Sequence, residues 1–267
     1  MSAPTMPAAT PSTDAAVVAA AAGAIGALTP QLEGELALLA LAGSRAYGTE
    51  RAGSDVDLRG VTVGPAVALL DGRGVRDRYE LTVPDTVVYE LGKLVALSAA
   101  GNPNALEVLY SPQMLHVSPA GQVLLDGREV LLSRRAHAAY AGYAASQLKR
   151  LSGERGPVDP AKRRKHQLHT FRLLDAGTRL LTTGTLQVTV DDLAELDALA
   201  GLDADTAAAE AQRRLERLDA AVAVSPLPET PSRDLVADLT LAVRAAAEDA
   251  VTVFRARLGA EGAKAAR

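Results

Sequence analysis

Two aspartates one residue apart, Asp55 and Asp57 in the string Ser54-Asp55-Val56-Asp57-Leu58, follow the pair Gly43-Ser44 after ten intervening residues. In a strand, alternate side chains share a face, so both carboxylates project together while Val56 and Leu58 turn towards a core. Adjacent carboxylates suit hard divalent cations. Two-metal phosphoryl-transfer sites hold such ions about 3.5–4 Å apart, one at the nucleophile and one at the leaving group. Gly43 permits close backbone approach, and the N–H groups of a turn together with the Ser44 hydroxyl form a concavity for phosphate oxygens. The competing reading is a surface turn followed by an acidic loop; the apolar strands expected on either side favour the chemical one.

A basic stretch is the second candidate. Residues 149–172 carry eight Lys or Arg side chains plus His166 and His169. Wound as a helix, Lys162, Lys165, His166, His169 and Arg172 fall within an arc of about 120°, with Leu168, Phe171 and Leu174 opposite. That division suits binding of phosphate or an acceptor by Lys165, His166, His169 and Arg172, against the alternative of a solvated basic face. Two histidines three apart, with no third ligand in view, do not indicate zinc. Arg45 offers a guanidinium fork that matches phosphate oxygens, or pairs with Glu50. Arg59 falls on the same face as Asp57 in a supporting role.

These side chains need a frame. Helix 15–28 precedes strand 35–42, which runs into the Gly-Ser turn and a short helix at 44–48; strand 55–63 carries the aspartates. A Gly- and Arg-rich loop (71–78), strand 86–90 and helix 91–100 follow. Asn102 caps a helix at 103–109, with Pro103 in its first position. Beyond residue 118 the pattern predicts helices near 118–125, 133–152, 160–182, 191–200, 204–222 and 232–257, joined by Gly153–Pro160 and Ser225–Pro231. The expected class is α+β, a small mixed sheet followed by a mostly helical C-terminal domain. The expected division is a tail at 1–14, a catalytic domain at 15–117, a helical domain at 118–257 and a tail at 258–267.

Composition narrows the function. The 267 residues are 48% hydrophobic, enough for a packed core. A net charge of −4 gives no global attraction to nucleic acid, so any polyanion must meet a local patch. The absence of cysteine excludes disulfides and thiolate metal sites and fits a cytoplasmic protein. With no Lys or Arg before Arg45, the alanine-rich start lacks the basic region of a secretory signal, and it is too weakly apolar to span a membrane.

Gly43-Ser44 followed by Asp55-Val56-Asp57 resembles the signature of the polymerase beta superfamily of nucleotidyltransferases. The longer strings Gly-Ser-Arg-Ala-Tyr-Gly-Thr (43–49), Asp-Val-Asp-Leu-Arg-Gly-Val (55–61), Gly-Asn-Pro-Asn-Ala-Leu-Glu-Val-Leu (101–109) and Lys165-His-Gln-Leu-His-Thr-Phe-Arg172 resemble its RNA repair pathway DNA polymerase beta branch. The resemblance implies a polymerase-beta-like domain that moves a nucleoside monophosphate from a nucleoside triphosphate to a hydroxyl or phosphate acceptor, with an RNA end the favoured acceptor. It implies two Mg²⁺ ions, with Mn²⁺ as a substitute, held by Asp55, Asp57 and a third acid. Strand alternation selects Glu90 as that acid, with Asp85 as the competitor; the other reading of Glu90 is an acidic residue opening helix 91–100, where the helix dipole favours it. Gly43, Ser44 and Arg45 would bind the triphosphate with the basic helix; Asn102, Asn104 and Glu107 are secondary candidates. The alternatives are a nucleotide-sensing protein of the same fold, and an enzyme acting on a protein or small-molecule hydroxyl. Only 3% of the residues are aromatic, few for base stacking.

Overall fold

The computed structural model describes residues 14–65, 74–151 and 159–247. Residues 1–13 of the expected first tail, the expected tail at 258–267, the end of the helix expected at 232–257, the start of the Gly- and Arg-rich loop and most of the Gly153–Pro160 connector lie outside these residues. Helix α1 (Ala15–Leu28) is capped by Asp14, whose side chain accepts from Ala16 N, and buries Val17, Ala21, Ala24 and Leu28 at helical spacing. Strand β1 (Glu35–Ala42) is buried along Leu36–Leu41 because it lies inside a sheet covered on both faces. Helix α2 (Gly43–Tyr47) follows directly, then β2 (Asp57–Val63), β3 (Arg78–Leu81), β4 (Asp85–Glu90), α3 (Leu91–Ala99), α4 (Pro103–Leu109) and β5 (Met114–Val117).

The five strands take the order β3-β4-β2-β1-β5. Pairing is antiparallel except between β2 and β4, whose parallel register sets Asp57 beside Asp85 and Thr62 beside Glu90. On one face Leu39, Leu41, Leu58 and Val88 meet α1. The other face, with Leu38, Val61 and Val63, is covered by α3, α4, α5 (Pro119–Gly127), a 3₁₀ turn (Arg128–Leu131) and the distant α10 (Arg233–Ala247).

The remaining helices, α6 (Ala136–Leu151), α7 (Pro160–Thr183), α8 (Leu193–Leu199) and α9 (Ala204–Val224), enclose a second core around Tyr140, Phe171, Leu174 and Leu218. The packing thus departs from the expected boundary at 117. Residues 119–131 and 233–247 belong with the sheet, because Leu124, Leu131, Leu239 and Val243 complete its apolar face. Helix α4 links the two cores: Leu106 enters the helical one, while Ala105, Val108 and Leu109 enter the other. Among the described residues, no helix is long and apolar enough to cross a membrane.

Candidate active site

The antiparallel register places Ala42 opposite Asp57, so the chain leaving β1 turns at the start of the aspartate strand. Gly43 makes that turn at φ +64°, and a Cβ there would sit 1.8 Å from Asp57 Oδ2. Both the backbone angle and the space require glycine. The carboxylate thus packs against the first residue of α2, whose N-terminus has no side-chain cap. Burial raises the Asp57 pKa above its ordinary value; Arg59 and Lys165 oppose the shift, and Asp85 and Asp55 add to it.

Asp55 stands in the loop before β2, within the same cleft of about 530 Å³ as Gly43, Ser44, Asp57, Lys165 and His169. Arg45 is not part of that lining. Its Nε and Nη2 donate to Ser54 O at 3.3 and 3.0 Å, and its Nη1 pairs with Asp14 at 2.8 Å. The expected triphosphate clamp is instead a brace that ties the aspartate loop to α1. Neither does it pair with Glu50.

Helix α7 supplies the facing wall through Arg164, Lys165, Leu168 and His169. Leu168 was expected on the opposite, apolar side. His169 is half-buried and meets the edge of Tyr143 at 5.2 Å between ring centroids. Burial, then the charges of Arg172, His166 and Lys165, push its pKa down to about 3, so it is neutral at physiological pH. His166 does not line the cleft; its Nδ1 donates to Gln147 Oε1 at 2.9 Å. At the rim, Asp197 receives both Arg164, at 2.8 Å, and Arg51, at 3.5 Å.

Arg172 also departs from its expected role. It is buried at 3% exposure and pairs with buried Glu107 at 2.8 Å, while its guanidinium carbon lies 3.6 Å from the centroid of the Tyr47 ring. Tyr47 donates to the other Glu107 oxygen at 2.8 Å. Burial is the main cause that raises the pKa of the Tyr47 hydroxyl, with Glu107 adding to it against Arg172, which keeps the hydroxyl a donor. Arg172 thus fastens α7 to α4 and α2 behind the cleft through Nη1 and its contact with the Tyr47 ring, and it is not part of the cleft lining.

Glu90 is not brought to the aspartates. It lies five residues along β4 from the position beside Asp57, about 16 Å away at strand rise. Its Oε2 accepts from Gly92 N at 2.5 Å and caps α3, while its Oε1 takes Arg244 of α10 at 2.8 Å. Parallel pairing puts Asp85, and not Glu90, at the aspartate end of β4, a placement that alternation along the strand does not encode. There Asp85 pairs with Arg59 at 3.1 Å.

Arg164, Arg51 and Tyr47 join the cleft without having been singled out as binding residues. Tyr47 had a signal in its place within the 43–49 string; Arg51 had none, since a charged residue in a loop looks like any other. A search among curated proteins finds no significant match. A crystal structure of a nucleotidyltransferase-like protein from Exiguobacterium sibiricum 255-15 aligns over 75% of this chain and 73% of that one, at 12% identity and a TM-score of 0.29. The RNA repair pathway DNA polymerase beta family model matches residues 24–226, a span that includes every cleft residue named above. The chain belongs to the RNA repair pathway DNA polymerase beta family.

Proposed function

We propose that this protein transfers a nucleoside monophosphate from a nucleoside triphosphate to an acceptor hydroxyl, releasing pyrophosphate. The observation that carries this reading is the packing of the Asp57 carboxylate against Gly43, with Asp55 and Lys165 lining the same cleft. The acceptor oxygen bonds to the α-phosphorus as the bond from that phosphorus to the bridging β-oxygen breaks. The acceptor's proton leaves to a base, for which Asp85 replaces Glu90 as our candidate. Gly43, Ser44 and Lys165 bind phosphate oxygens, so the chain's own contribution is positioning and charge neutralisation.

The donor set suits Mg²⁺, or Mn²⁺ in its place. Carboxylate oxygens are the ligands such ions prefer, and burial, with smaller contributions from Asp85 and Asp55, raises the pKa of Asp57, so a nearby cation would favour its charged form. Among the described residues no three His, Cys, Asp or Glu side chains converge, so Asp55 and Asp57 would hold the ions with substrate phosphates completing the coordination. Bound there, two such ions would polarise the reacting oxygens. The family description makes an RNA end the acceptor to try first. The test incubates the protein with each α-labelled nucleoside triphosphate, Mg²⁺ and RNA with defined ends. Label should pass to the RNA with wild type, and Asp55→Asn/Asp57→Asn should abolish it; normal transfer by the double variant would overturn the reading.

A further inference from the structure

A second cavity, of about 300 Å³, adjoins the aspartate cleft and shares Gly43 and Tyr47 with it. That volume is at the lower end for ligand pockets, too small for a whole nucleotide and sufficient for one ring system. Its wall on the sheet side is Arg59, Val87 and Tyr89, and the helices contribute Asn104, Val108 and Tyr143. Arg59 is taken up by Leu58 O and Asp85, and Glu107, also in the lining, by Arg172 and Tyr47. The charged groups are therefore satisfied within the protein. The Asn104 amide and the Tyr89 and Tyr143 hydroxyls make no hydrogen bond among the described residues, and Asn104 is exposed. The lining thus sets aromatic and aliphatic side chains among polar atoms, which make up the larger share of its surface, and neutral polar groups are left to engage a ligand. Tyr143 also touches His169, so the two spaces share a wall.

From this we propose that the pocket receives a nucleobase, with Asn104 reading its edge. The proposal rests on the transferase reading. Aromatic side chains hold a base through its π-face, and an asparagine amide matches the N6 and N7 groups of adenine in a bidentate pair. The base arrives either on the incoming triphosphate or on the last nucleotide of an acceptor strand.

The test measures Mg²⁺-dependent binding of inorganic tripolyphosphate against ATP, GTP, CTP and UTP, and of an oligoribonucleotide ending in adenosine against one ending in an abasic ribose. In at least one arm the base should tighten binding about tenfold, with adenine foremost. Asn104→Ala, at an exposed position, should erase the preference for adenine, and Val87→Phe should remove the base effect; both should leave tripolyphosphate affinity unchanged. No base effect in either arm, or one that survives both variants, overturns the proposal. Tripolyphosphate binding to wild type checks the transferase reading separately: without it that reading falls, and with it but without a base effect the pocket assignment alone falls.

Discussion

Arg172 Nη1 donates to Glu107 Oε1 at 2.8 Å with both side chains withdrawn from solvent, and this pair joins α7 to the helix that bridges the two cores. Removing one partner leaves an uncompensated buried charge. Arg172→Ala should therefore cost about 3–5 kcal/mol in denaturant unfolding. Replacing both partners with apolar residues of similar size should recover most of that loss. A variant as stable as wild type but weak in phosphate binding would return Arg172 to the substrate.

Asp57 has a raised pKa, so its ionisation opposes folding at neutral pH, and that penalty fades as pH falls through the folded value. Asp57→Asn should accordingly raise Tm at neutral pH in the absence of metal. Mg²⁺ should raise the Tm of wild type and not of the variant, since only the carboxylate gains from the cation. Thermal unfolding with and without Mg²⁺ checks both halves.

Two acids on β4 should separate cleanly. Glu90→Gln weakens the bond to Arg244 and should lower unfolding stability while turnover by the folded fraction persists. Asp85→Asn, at an exposed position beside Asp57, should depress turnover by about 10²-fold or more with little change in stability. Equal effects on turnover would contradict the distance between them.

Lys165 is the cleft cation to remove, because it is exposed and lines the pocket beside the aspartates. A charge-assisted bond to phosphate is worth about 1.5–3 kcal/mol, so Lys165→Ala should weaken tripolyphosphate binding about 10- to 100-fold. The defect should narrow at high salt. Titration calorimetry at two ionic strengths measures it.

The imidazole of His169, with its pKa lowered from 6.5 to about 3, should show no proton-shift titration by NMR as pH passes through 6.5. The unfolded chain takes up that proton below 6.5 and the folded chain does not until about 3. Acidification across that window should thus lower stability, and His169→Gln should flatten that part of the profile.

The sequence carried the parts of the site that are local. Gly43, Ser44, Asp55 and Asp57 lie close along the chain, and their spacing with turn chemistry was enough to group them, although Asp55 stands in the loop before β2 and not in the strand that alternation assumed. Asn102 and Pro103 marked the start of α4 for the same reason. What it did not carry was pairing across distance. β3 and β5 have four residues each, too few for a period to show. Asp85 reaches the aspartates through a parallel register that no local pattern encodes. A helical arc placed Arg172 beside Lys165, and Glu107, 65 residues away, claimed it.

The ion pair between Glu90 and Arg244 spans 154 residues and belongs to the helix that closes one face of the sheet. That has a consequence for the order of synthesis. A ribosome adding about 5–20 residues per second needs about 7–26 s to pass from residue 117 to residue 247. Through that interval Leu94 and Val61 await Leu239 and Val243. The nascent sheet is an apolar surface in need of shelter until α10 emerges, and a fragment cut at residue 117 would keep that surface uncovered.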